Sequence, residues 1–85
     1  MARVLFFGRL CDAAGAEELL TPLPAHARHV SDLKLLLARL NPELGAALEE
    51  SGVRVAINQN LAPSKSDLEI SDRDEIAFMP PMSGG

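Results

Sequence analysis

The chain has 85 residues, of which 47% are hydrophobic and 24% charged, with a formal net charge of −4. That length makes one domain near the lower limit for a self-sufficient core, and the acidic balance argues against a nucleic-acid binder, which needs a basic face. A single cysteine, Cys11, excludes an internal disulfide, and the apolar start stops at Gly8-Arg9, too short for a signal-peptide core or a membrane span.

Residues 3–7 are β-branched and aromatic, without helical period, and read as a first strand. Val4 and Phe6 fall on one side, Leu5 and Phe7 on the other. Apolar residues on both faces place this strand mid-sheet or reserve one side for a partner. Residues 8–16 form a connection, with a helical turn expected over 10–14 that Gly15 stops. Residues 17–23 alternate weakly, and Pro22 confines them to an edge strand. A loop follows to His29.

The clearest helix begins at 30–33. Ser31 reads as its N-cap, Asp32 suits the positive end of the helix dipole, and Val30 is positioned to staple onto Leu35. Leu33, Leu36, Leu37 and Leu40 form one apolar stripe at i, i+3, i+4 and i+7. Asn41-Pro42 breaks this helix and opens a second, short one to Glu50, with Leu44, Ala47 and Leu48 inward and Ser51-Gly52 at its end. Residues 53–58 alternate as a strand, Asn58-Gln59-Asn60 is turn material, and Leu61-Ala62 makes a short strand before Pro63. Leu68 and Ile70 suggest a short strand or turn. Ser71-Asp72-Arg73-Asp74 is a tight turn, and residues 75–79 form the last strand, Ile76 and Phe78 on one face, Ala77 and Met79 on the other.

The order β-β-α-(α)-β-(β)-β predicts an α+β fold: a mixed sheet of four to five strands packed on one main helix plus a short helix. If the first and last strands are parallel neighbours, the helix lies in their right-handed crossover. This is the ubiquitin-like β-grasp architecture. The expected division is a globular domain over residues 1–79 and a flexible arm over 80–85. Pro80 and Pro81 lack backbone donors and end the last strand. Gly84 and Gly85 have no side chains to pack, and an extended arm from Pro80 reaches roughly 20 Å.

Three stretches carry a family resemblance: Val4-Leu5-Phe6-Phe7, Val55-Ala56-Ile57-Asn58-Gln59-Asn60-Leu61, and Asp74 through Met79 running into Pro80-Pro81-Met82-Ser83-Gly84-Gly85. Together they resemble the MoaD family, the small sulfur-carrier subunits of molybdopterin synthase, over the whole chain. The most specific element is an apolar strand entering Pro-Pro-x-x-Gly-Gly at the terminus.

The resemblance implies a co-substrate rather than an enzyme. The Gly85 carboxylate is adenylated with ATP by a ubiquitin-activating-like adenylyltransferase. Sulfur brought by a sulfurtransferase then displaces AMP to leave a thiocarboxylate. Residues Pro80, Pro81, Met82, Ser83 and Gly84 carry that group into the large subunit of a heterotetramer, where sulfur passes to the pterin precursor of the molybdenum cofactor. Phe7, Leu61 and Met79 are the implied docking residues; relatives often carry Phe at the position of Met79. No bound cofactor, metal, nucleic acid or membrane is expected, and the location is cytoplasmic. His26 and His29 read as surface residues rather than metal ligands, Cys11 as a packing or surface residue, and the clustered carboxylates as solvated faces. The alternatives are a sulfur carrier for thiamine or tRNA thiolation, a protein-modifying relative, or a ubiquitin-like interaction module whose tail has no chemistry.

Overall fold

In the computed structural model, which describes residues 1–63 and 66–81, the elements run β1 (Ala2–Phe6), α1 (Arg9–Ala14), β2 (Glu18–Thr21), α2 (Val30–Leu40), α3 (Pro42–Leu48), β3 (Arg54–Ile57), β4 (Asn60–Leu61) and β5 (Glu75–Met79). The strands form one sheet in the order β2-β1-β5-β3-β4. The two terminal strands, β1 and β5, pair in parallel, and every other pairing is antiparallel. This is the expected α+β β-grasp, with two short helices rather than one beside the main helix. No helix is long and apolar enough to cross a membrane among the described residues.

The period-2 alternation of the strands sorts side chains onto two faces. Val4 and Phe6 of β1 lie level with Ile76 and Phe78 of β5, which in turn lie level with Ile57 and Val55 of β3. Val4, Ile76 and Phe78 are fully buried. The Phe6 and Phe78 rings stack at 6.1 Å and 14°, an arrangement that adds about 0.5–1.5 kcal/mol beyond burial. All three helices cover this face, contributing Leu10, Val30, Leu33, Leu37, Leu44 and Leu48 to one cluster.

Two helix boundaries differ from the sequence expectation. The N-cap of α2 is His29, not Ser31. The Asp32 carboxylate accepts from the backbone N–H of His29 at 3.0 Å, and the backbone N–H of Asp32 donates to the His29 carbonyl at 3.0 Å. Ser31 instead donates its hydroxyl to Asp67 at 2.7 Å, and its backbone N–H joins at 2.9 Å. Those two bonds hold the Asp67 carboxyl below its ordinary pKa. Beginning the helix earlier rotates the staple away, leaving Leu35 62% exposed; Leu40, last of the leucine stripe, is 70% exposed. Leu33 and Leu37 carry the contact with the sheet.

Asn41 explains the break between α2 and α3. Its N–H satisfies Leu37 at the end of one helix, its Oδ1 accepts from Leu44 at the start of the next, and its Nδ2 donates to Ala13 of α1. The helix α3 ends at Leu48 rather than Glu50. Leu68 and Ile70 do not form a strand; their backbones bond to Val30 and Arg28 around an isolated His29–Glu69 bridge.

Where α2 crosses α3, the backbones nearly touch. A Cβ at Gly45 would overlap Cβ of Ala38 and come within 2.7 Å of its Cα. Gly45→Ala is therefore expected to destabilise the domain by up to about 2 kcal/mol. Overpacking costs about 1–3 kcal/mol and outweighs the roughly 1 kcal/mol gained in helix propensity. Thermal unfolding checks this: a melting point lowered by about 4–8 °C per kcal/mol is the expected result, and an unchanged or raised one contradicts it.

Candidate functional site

The sheet face turned away from the helices is the remaining surface of interest. Pairing registers place Leu5, Ala77, Ala56 and Leu61 in one row across β1, β5, β3 and β4. Three inter-strand steps make that row roughly 14 Å long. Met79 lies level with Arg54 in the next row, and Leu20 of β2 lies level with Arg3. Phe7 follows β1, and its backbone N–H continues the ladder to Phe78 at 3.1 Å. It shares a groove with Arg3, Leu5 and Glu18.

The three expected docking residues thus occupy one face without forming one cluster. Phe7 borders β5 near Met79, while Leu61 stands two strands away from it. Phe7 is 49% exposed and Leu61 56% exposed, so neither serves as core. Met79 is half-buried beside Arg54.

Sequence reasoning did not single out Leu20, which is 57% exposed and extends the apolar face to the sheet edge. The alternation of residues 17–23 carried the signal, but not which face held which set. Ala77 and Ala56 were also passed over. Facing each other across β5 and β3, they leave a shallow middle to the row. Charges around the face are largely paired. Arg3 bonds to Glu18 and, at 3.3 Å, to Glu75, and Arg54 donates to the Ala62 carbonyl at 2.9 Å.

The Asn58-Gln59 turn sets where Leu61 lies. Both residues have positive φ, 51° and 69°, the backbone of a two-residue hairpin whose twist suits the strands. Asn58 tolerates this conformation and is pinned to β5. It accepts from the Glu75 N–H at 3.0 Å, and its amide donates to Asp74 at the same distance. Other carboxylates of the acidic clusters also serve turns. Asp72 accepts from the Leu23 backbone, the chief reason its pKa falls below the ordinary value. His29 is a helix cap rather than merely a surface residue, and Cys11 packs against the core from α1. No group of three or more metal-ligating side chains converges among the described residues.

Beyond β5, Pro80 and Pro81 are half-buried. Met82, Ser83, Gly84 and Gly85, the rest of the expected arm, lie outside the described residues.

Against known proteins, the ThiS family model matches residues 4–85. The molybdopterin synthase sulfur carrier subunit of Escherichia coli K12 is 33% identical over 85 residues, covering 100% of both chains. That of Dictyostelium discoideum is 30% identical over 83 residues, 98% of this chain and 94% of its own. Among solved structures, the small archaeal modifier protein 1 of Methanosarcina acetivorans superposes with a TM-score of 0.76 at 31% identity, over 99% of this chain and 95% of the other.

Proposed function

The chain belongs to the ThiS family, and from that membership we propose that it is the sulfur carrier subunit of a molybdopterin synthase, acting as a co-substrate through the carboxyl of Gly85. The observation that carries this reading is the end-to-end match to a molybdopterin synthase sulfur carrier subunit, 100% of both chains.

The chemistry follows from the terminus. A carboxylate is ionised at neutral pH and resists nucleophiles. Adenylation with ATP by a ubiquitin-activating-like adenylyltransferase turns it into an acyl donor. A sulfurtransferase supplies the sulfur that displaces AMP, leaving a thiocarboxylate. Within the large subunit the thiocarboxylate sulfur bonds to the pterin precursor, and water then hydrolyses the acyl–sulfur bond, leaving the sulfur on the pterin and returning the Gly85 carboxylate. Residues 1–79 act as the globular carrier and residues 80–85 as the arm. Phe7, Leu61, Met79 and Leu20 of the open sheet face dock on the large subunit, in a heterotetramer; Pro80 and Pro81 are the root of the arm, and Met82, Ser83 and Gly84 lead Gly85 into the large subunit. The setting is the cytoplasm, where ATP and reduced sulfur are available.

Intact mass of the protein from its native cells tests this. The expected result is a fraction heavier by one oxygen exchanged for sulfur, localised to Gly85. A second reading, a protein modifier, is favoured by the likeness to the archaeal modifier protein. It predicts Gly85 joined through an amide to lysines of other proteins. Conjugates without any thiocarboxylate favour that reading and defeat the first.

A further inference from the structure

Two glycines close on the two prolines that follow β5. Gly8, just past β1, has φ 57° and ψ −136°; a Cβ there would stand 2.8 Å from Cγ of Pro80. Gly52, just before β3, has φ 90°, and a Cβ there would stand 3.0 Å from Cβ of Pro81. The strands β1 and β3 are the two neighbours of β5. The chain leaving β5 therefore passes between one glycine on each side, at distances that leave no free room for a Cβ at Gly8 and only a tight fit at Gly52.

Positive φ accounts for a glycine by itself, so the contacts must carry the argument. Gly15 supplies the contrast: its φ is 75°, yet nothing lies within 4 Å of an added Cβ. Gly8 and Gly52 combine the backbone requirement with a ring packed against the missing side chain. The prolines are suited to such a seat. Their φ is locked and they present no N–H to pair with either neighbouring strand.

We propose that Gly8 and Gly52 are positioning residues: they seat Pro80 and Pro81 and so set the heading with which the arm leaves the domain toward the large subunit's active site. This rests on the reading of Gly85 as the sulfur-bearing terminus. Docking through the sheet face and delivery through the arm are then separable. A reacting group displaced by about 1 Å loses on the order of a hundredfold in rate, even when the change lies far from the chemistry.

The experiment uses full-length thiocarboxylate forms of the wild type, Gly52→Ala and Gly15→Ala, each mixed with the large subunit and pterin precursor. Single-turnover sulfur transfer and the dissociation constant are measured for each. Gly52→Ala is expected to slow transfer by about 10- to 100-fold with affinity within about threefold. Gly15→Ala, bearing similar backbone strain without the contact, is expected to transfer at the wild-type rate. Equal rates for Gly52→Ala and wild type overturn the proposal, as does an equal loss in Gly15→Ala. Should Gly52→Ala not fold, Gly52→Ala/Pro81→Gly removes the clashing Cβ from the arm. It is expected to dock normally and transfer slowly, and a wild-type rate from it overturns the proposal. An inactive wild-type thiocarboxylate strikes instead at the functional reading.

Discussion

One residue added after Gly85 is expected to abolish sulfur transfer while leaving affinity for the large subunit within about twofold. The extension converts the Gly85 carboxylate into an amide, which neither ATP nor an adenylate exchange can activate. Where the added residue is not glycine, it also moves the chain's α-carboxyl onto a residue bearing a Cβ. The proposed docking face, from Leu20 across to Leu61, lies on the sheet and is untouched. The check is paired: thiocarboxylate formation by mass spectrometry with the activating enzyme, and binding by calorimetry with the large subunit. Retained transfer from the extended chain defeats the carrier reading, since a plain interaction module is the class that tolerates such a tail.

Phe7→Ala is expected to weaken the complex with the large subunit by about 2–3 kcal/mol, roughly 30- to 150-fold in dissociation constant. The ring stands 49% exposed at the end of β1, so a partner that covers it removes a large apolar surface from water. The same exposure limits the folding cost to about 1–1.5 kcal/mol, because half of the ring's burial is never realised in the free domain. Leu40→Ala provides the comparison. Leu40 is 70% exposed but sits on α2, in the helical layer on the opposite side, and its loss is expected to leave binding unchanged. Equal affinity for Phe7→Ala and wild type, with both folded, removes the sheet face from the docking surface.

The residues themselves settled the elements whose two faces differ. Glu75–Met79 is a strand as expected because Ile76 and Phe78 alternate with Ala77 and Met79, and α2 exists because Leu33 and Leu37 repeat at helical spacing. Asn41-Pro42 marked the helix break because proline cannot continue a helix and asparagine caps one. The carrier chemistry was legible too, since it needs a terminus and no convergence of side chains. Local pattern could not settle competitions between nearby groups. Ser31 and His29 were both able to cap α2, and Asp67, 36 residues away from Ser31, engaged the serine. Leu35 and Leu40 look like core in the sequence and stand in water, because the sheet is reached by only part of the helix's apolar arc.

By itself the sequence determined which residues are apolar, where strands and helices alternate, and that the chain closes on Pro-Pro-x-x-Gly-Gly. Alternation already set Phe7 and Met79 opposite Phe6 and Phe78, and the tertiary structure alone decided that Leu20 and Leu61 join them on the face away from the helices. It alone brought Gly8 and Gly52 against Pro80 and Pro81. The physical reason is that alternation assigns side chains to two sides of a strand without saying which side the helices cover. Contacts between residues 29 and 72 positions apart, Gly52 with Pro81 and Gly8 with Pro80, arise only once β5 is laid between β1 and β3.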